Sequence, residues 1–393
     1  MKKLLLSAII AMSVFPAMAD LEGDGYYRVQ NAVTKRYAYL LDNKGSFNAA
    51  TSTVDVQALE LYLGFSKACS DPSTVFYISK INSTGSLSKY DIAGQGTSIQ
   101  GFLDEVNMYI IKSKVIDGEQ AYLANGDNGL MSKYLGDRNS SLTEEQGLAS
   151  ADVSGDRRLW YIDPVKADSS DSYFGVAPTL TCGGKYYYPM YAGFPYDAYS
   201  EGIKFYAVTK VNPWAEVPAV GLKELTGVIP AGAPVIIECS HPLPTDNRLN
   251  VGGDGQLAEL SGNLLKGVYF NNDDVIHKNR KAYDRKTMRI LTVKDGNLCF
   301  EVADIDYLPR NQAYLQLTEA DQYNVGSFKV VSEEVYEAEY NGVSVVEDSS
   351  VVDVYSLDGR LVKAGVNKEE VPALGKGLYI LRSGNNSEKA VVR

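Results

Sequence analysis

Runs of Tyr, Val, Ile and Thr, broken every few residues by Gly, Asn and Asp, constrain this chain more than any other feature of it. Such runs suit a pleated, half-buried surface, and the breaks supply turns. The 35 Gly and 28 Tyr among 393 residues serve that construction. Few windows carry helical periodicity; Val54 to Phe65 is the best of them and predicts one inserted helix. The expected fold class is therefore all-β. Length predicts two or three domains, and three stretches differ enough in pattern to be taken separately.

The first nineteen residues stand apart. Lys2-Lys3 precede an apolar run from Leu4 to Phe15, and Ala17-Met18-Ala19 supplies a small-x-small cleavage site. That is the layout of a secretory signal peptide over 1–19, with a mature chain beginning near Asp20. The run is too short for a permanent span, no transmembrane segment is expected elsewhere, and no Cys follows the cleavage site. Removing Lys2 and Lys3 takes the formal charge from −11 to −13. An acidic surface of this kind excludes sequence-independent nucleic-acid binding, which needs clustered Lys and Arg. Cys69, Cys182, Cys239 and Cys299 show no CxxC spacing. Export permits disulfides in any of three pairings, while strand-like surroundings at Cys239 and Cys299 suit buried free thiols equally well.

Residues 20–166 contain a threefold repeat. One element recurs as Phe76-Tyr77-Ile78, Met108-Tyr109-Ile110 and Trp160-Tyr161-Ile162. Another recurs upstream as Lys35-Arg36-Tyr37, Ser88-Lys89-Tyr90 and Ser132-Lys133-Tyr134, each followed by an acid at Asp42, Asp91 or Asp137. Three similar β units of this kind bury their apolar faces only by closing on one another. The stretch from Gly25-Tyr26-Tyr27-Arg28 to Leu40-Leu41-Asp42 resembles the first repeat of ricin-type β-trefoil lectins. Of that family's Gln-x-Trp motif Trp160 alone keeps the Trp, and none of the three copies keeps the Gln. The resemblance implies a β-trefoil-like domain and sugar binding. The repeat nominates Asp42, Asp91 and Asp137, with Tyr37, Tyr90 and Tyr134, as ligand-binding residues, the competing role of the acids being turn capping.

Residues 169–332 hold apolar strands separated by Pro and Gly turns, such as Val228-Ile229-Pro230-Ala231-Gly232-Ala233-Pro234-Val235-Ile236-Ile237 and Tyr307-Leu308-Pro309-Arg310-Asn311-Gln312-Ala313-Tyr314-Leu315. This pattern predicts a β-sandwich, and the two runs resemble a module common in Bacteroidetes surface proteins. Tyr186-Tyr187-Tyr188, Tyr191, Phe194, Tyr196 and Tyr199 offer rings that could stack on sugars, although Tyr is also an ordinary strand residue.

Residues 336–393 follow an acidic linker that includes Glu333-Glu334 and Glu337-Ala338-Glu339. Asp358-Gly359 between apolar runs signals a tight hairpin, and Ser383-Gly384-Asn385 marks a second turn. A small β module is expected. Val354-Tyr355-Ser356-Leu357-Asp358-Gly359-Arg360, Lys376-Gly377-Leu378-Tyr379-Ile380 and the basic, apolar end resemble the C-terminal sorting domain of type IX secretion cargo, with Gly375 where that family often has Pro. The resemblance implies the type IX export machinery as a partner and an outer-membrane cell-surface location.

No catalytic constellation emerges. His241 and His277 form no metal pair, no Gly-x-Ser-x-Gly elbow is present, and Gly375-Lys376-Gly377 lacks the Ser or Thr of a phosphate loop. Cys239 with His241 is the nearest approach to a nucleophile–base dyad. Asp152-Val153-Ser154-Gly155-Asp156 and Gly252-Gly253-Asp254-Gly255 are Asp-bearing turns without the ligand order of an EF-hand loop. The expectation is an exported, non-catalytic, adhesin-like surface protein that binds a glycan or a host surface glycoprotein, with no cofactor and no metal. The alternatives are a structural surface component and, third, a cryptic glycoside hydrolase.

Overall fold

The computed structural model describes residues 21, 23–41, 46–48, 53–55, 59–84, 87–95, 97–98, 109–116, 119–126, 133–134, 136–137, 155–273, 278–340, 351–383 and 386–392. Residues 1–19, where a signal peptide is expected, Asp42, His277 and the turn at Asp152 lie outside them. The fold is all-β, with pairings that stay inside three stretches among the described residues.

The first stretch is a closed ring. Strands Gly25–Asn31, Phe76–Thr84, Leu87–Gly94, Tyr109–Ile116, Glu119–Gly126 and Leu159–Pro164 pair antiparallel in chain order, and the last returns to pair with the first. Period-two alternation sets the interior. Phe76 and Ile78 from one copy of the repeated aromatic element, and Trp160 and Ile162 from another, enter the same core with Val29, Leu40, Leu61 and Ile92. Tyr77, between two of them, points outward and is exposed.

Between its first and second ring strands the chain makes an excursion in which Arg36–Leu40 pairs with Leu59–Leu63. The window expected to be a helix, Val54 to Phe65, is thus strand where it is described: Thr53–Asp55 pairs with Ser46–Asn48, and Leu59–Leu63 with Arg36–Leu40. Leu61 is buried in the core whereas Leu63 is exposed. The window ends at the first residue of a short α-helix, Phe65–Ala68.

The central stretch closes into a second ring, of eight strands, instead of the two facing sheets of a sandwich. Its order is Lys185–Met190, Val235–Cys239, Lys204–Asn212, Ala219–Leu225, Ser327–Ser332, Asn297–Glu301, Met288–Lys294 and Gln312–Gln316. All of these steps are antiparallel except that between Ala219–Leu225 and Ser327–Ser332. Counting directions around the ring leaves Lys185–Met190 and Gln312–Gln316 heading the same way, yet their contact is antiparallel. The seam is accordingly a single bridge, Met190 to Gln312, and not a ladder.

Val208, Val220, Ile236, Phe300, Leu315 and Phe328 pack in one cluster of this ring. Phe194, Tyr196, Phe205, Ile237 and Leu249 pack in another, under a three-stranded cover of Phe174–Gly175, Arg248–Val251 and Tyr196–Ala198.

The two rings are joined through core, not merely by a linker. Val75 and Val165 of the first belong to a cluster of the second, and Phe270 of the second belongs to the core of the first. Arg28, fully buried, donates to the carbonyls of Tyr173 (3.0 Å) and Ala68 (3.3 Å) and to Thr74 Oγ1 (3.4 Å). Burial pulls its guanidinium down to about 10.

The tail is a four-stranded sheet ordered Leu361–Asn367, Val351–Ser356, Gly377–Ser383, Asn386–Val392, around Val352, Val354, Val366, Val371 and Leu381. At the expected Asp358-Gly359 turn, Gly359 takes φ 79° and its N–H donates to Ser356 O at 2.9 Å. A positive φ of that size is why Gly stands there.

Candidate functional site

A cleft of about 660 Å³ opens at the junction of the two rings, inside the usual range of small-molecule sites. The first ring builds one wall from the excursion after its first strand. Asp71 caps the short helical turn Pro72–Thr74, its Oδ1 accepting from Ser73 N at 2.9 Å and Ser73 Oγ at 2.6 Å. Its Oδ2 accepts from Tyr62 OH at 2.7 Å. Tyr62, on Leu59–Leu63, stacks on Tyr39 of the paired strand, with centroids 4.0 Å apart and planes at 12°. Lys67 and Ser70 complete this wall, with the Lys67 ammonium 5.5 Å from the Tyr62 ring centroid.

The second ring supplies the opposite wall at its seam. Tyr188 comes from Lys185–Met190, and Pro309, Arg310, Asn311 and Gln312 lead into Gln312–Gln316. Because the seam is one bridge wide, strand pairing does not seal this side of the ring. Asn311 adopts φ 55°, the left-handed region in which a non-Gly residue is uncommon. Its Nδ2 donates to Tyr191 O at 3.3 Å and its carbonyl accepts from Tyr191 N at 3.0 Å, holding the loop to the strand end. Asn311 is 2% exposed and its Oδ1 has no protein partner. Buried polar atoms are rarely left so.

Arg310 crosses between the walls. Its Nη2 lies 2.7 Å from Asp71 Oδ2 and also meets Tyr62 OH, while its guanidinium sits over the Tyr39 and Tyr62 rings at 5.0 and 5.7 Å. Burial pushes the Asp71 carboxyl above its usual range, against the Ser73 hydrogen bonds and the Arg28 charge that pull it down. Burial, reinforced by the Asp71 charge, also raises the Tyr188 phenol, which remains a protonated donor. The cleft therefore presents cations, amides and hydroxyls around one carboxylate.

The residues nominated by the repeat are elsewhere. Asp137 is fully buried: Arg36 Nε and Nη2 reach its two oxygens at 3.0 and 2.8 Å, and Thr34 Oγ1 donates at 2.6 Å. Its carboxylate ties the chain at 137 to the start of the first excursion. Tyr37 is buried against Phe65, with Tyr39 and Tyr62 in the same cluster, and does not line the cleft. Asp91 and Tyr90 stand on a ring strand, opposite Ser79 and Lys80, whereas Tyr134 stands on the strand Lys133–Tyr134, which pairs with Glu119–Gly126. The first and third basic-Tyr copies thus stand alike, each on a short strand paired with the ring strand before it, whereas the second stands on a ring strand itself.

The tyrosine platform is not a surface. Phe194 and Tyr196 are core residues, Tyr187 donates to Glu238 Oε2 at 3.0 Å, and Tyr188 alone of that set reaches the cleft. Cys239 is buried in its strand, where desolvation pushes the thiol up to about 12 with Glu238 adding to it, and His241 lies exposed beyond the strand end. That is the opposite of an activated nucleophile. All four cysteines are free thiols.

Asp71, Tyr62, Lys67 and Tyr39 escaped sequence reading, although Asp71-Pro72-Ser73 carries a legible helix-start signal. Arg310 sits inside a run singled out for its pattern. The chain matches no family model, no curated protein and no solved structure.

Proposed function

We propose that this chain is an exported, surface-displayed, non-catalytic protein that binds carbohydrate in the cleft between its two rings. The observation that carries the reading is the convergence of Arg310, Asp71, Lys67, Tyr188, Asn271 and Gln312 on one cavity of about 660 Å³. Sugars are recognised by planar hydrogen-bonding side chains and by apolar patches that accept their C–H faces, and Pro72 and Pro309 supply the latter. An Asn311 oxygen buried without a protein partner adds acceptor capacity beside the cleft.

Ring strands in chain order, with excursions after the first, third and fifth, support a trefoil-like reading of the first ring. Among the described residues lining the cleft Asp71 is the only carboxylate, whereas glycoside hydrolysis ordinarily uses a facing pair. The export assignment rests on 1–19 and on the tail sequence, with the type IX machinery as the proposed carrier.

The test is a glycan array probed with the full chain and with Arg310→Ala. Binding to a defined glycan, weakened about tenfold or more by loss of a charged hydrogen-bonding group, is the expected result. No binding to any glycan would leave a structural surface role as the better reading.

A further inference from the structure

Trp160 is buried in the first ring, whereas Trp214, the other tryptophan of the chain, is 66% exposed. It sits in the turn 213–218 that joins Lys204–Asn212 to Ala219–Leu225, with Pro213 and Pro218 at the two ends of that turn. Asn212 Oδ1 accepts from Trp214 N at 2.9 Å and from Ala215 N at 3.2 Å, while Asn212 Nδ2 donates to Tyr340 O at 2.8 Å. A tip fixed in this way loses little freedom on binding. Val217, also exposed, extends the apolar surface. The surroundings are acidic. Glu216 on the turn, with Glu333, Glu334, Glu337 and Glu339 on the helical turns Glu333–Val335 and Tyr336–Tyr340, outnumber Lys210 and Lys329 from the strands beside them.

The tail carries the complement. Residues 351–393 hold seven Lys or Arg and five Asp or Glu, a formal +2 in a chain of −11. Val352, Val354 and Leu381 turn toward the core of its sheet. By strand alternation the opposite face bears Tyr355, with Ile380 and Leu361 across from it on either side, and Leu378. Leu361 and Leu378 are 49% and 38% exposed. Lys389, opposite Ile380, and Arg382, opposite Asp353, stand on the same face.

We propose that the outer face of the tail sheet of one copy docks on the Trp214 turn of a second copy. Apolar side chains meet apolar ones at the centre, and a positive module meets an acidic surface, which orients the approach. Trp214 and Leu361 both stay exposed within a single chain that contains the two surfaces, so the occupant is another copy and not the chain's own tail. The two partners use different patches. Such a contact is heterologous: each pair leaves one turn and one tail open, and copies add head to tail.

The experiment is sedimentation velocity of the full chain over a wide range of concentration, at low and high salt. Mass should rise with concentration and fall as salt screens the charges. Trp214→Ala should weaken association about tenfold or more, the scale of an interface hot spot, and so should Leu361→Ser combined with Leu378→Ser. All three positions are exposed, and an unchanged thermal midpoint shows each variant folded. Mixed in equal amounts, the two variants should form a heterodimer and go no further, because the intact tail of one meets the intact turn of the other. A monomer at every concentration, association that Trp214→Ala leaves untouched, or a mixture that stays monomeric would each overturn the head-to-tail contact.

Discussion

Changing Asp137 to Ala tests whether the acid that sequence repetition offers as a ligand is instead a structural counter-charge. The Arg36 and Asp137 side chains are 0% and 1% exposed. The substitution deletes an acceptor that takes two guanidinium bonds and one from Thr34, and takes the paired carboxylate away from a buried Arg36 charge. Breaking such a buried pair from one side costs about 3–5 kcal/mol, against about 0–1 kcal/mol for an exposed pair. For a unit of this size that corresponds to a fall in Tm on the order of 10 °C.

The assay is urea and thermal unfolding followed by fluorescence, since Trp160 is buried in the affected ring. Asp137→Leu combined with Arg36→Met removes both charges and should recover much of the loss. A loss below about 1 kcal/mol for Asp137→Ala, with carbohydrate binding abolished in a folded protein, would refute the structural assignment.

Two further outcomes follow from the titrating groups. Burial raises the folded-state pKa of Asp71 above an unfolded value of about 3.9. Its titration therefore contributes stability that is fully present below that unfolded value and is lost as pH rises through the raised folded value. Asp71→Asn, with no proton to lose, should gain on the wild type in urea midpoint as pH rises through this window, whatever constant offset the lost Arg310 bond adds; a flat or opposite slope would refute it. Cys69, Cys239 and Cys299 are buried and Cys182 is half-exposed, so a thiol reagent near neutral pH should label Cys182 first and the other three only on unfolding. Rapid modification of Cys239 in the native protein would contradict a thiol held near 12.

Strand character and closure of the first segment were legible because Phe76 and Ile78, and Trp160 and Ile162, enter the core at alternate positions of a repeated element. The window from Val54 to Phe65 misled because Leu59, Leu61 and Leu63 satisfy helical spacing loosely and strand spacing well, and short apolar windows do not separate the two. Letter similarity also misplaced the second basic-Tyr copy: Lys89-Tyr90 matches Arg36-Tyr37 in composition but stands on a ring strand. The cleft was beyond reach for a different reason. Asp71 and Arg310 lie 239 residues apart, and their contact depends on how two rings dock and where the second one fails to seal. Neither condition leaves a periodic trace along the chain.

The pairing of Gly25–Asn31 with both Phe76–Thr84 and Leu159–Pro164 has a kinetic consequence. A polypeptide synthesised N-terminus first presents one flank of its opening strand early and must wait for the other until nearly the whole segment has been made. Non-local pairing of this kind is slow because loop-closure entropy is spent before the contact rewards it. The first ring thus stays unlocked through most of its synthesis and closes late, when Pro164 comes opposite Tyr27. Only then do Val165 and its neighbours reach the second ring, so the cleft between the rings is assembled after the first ring has closed.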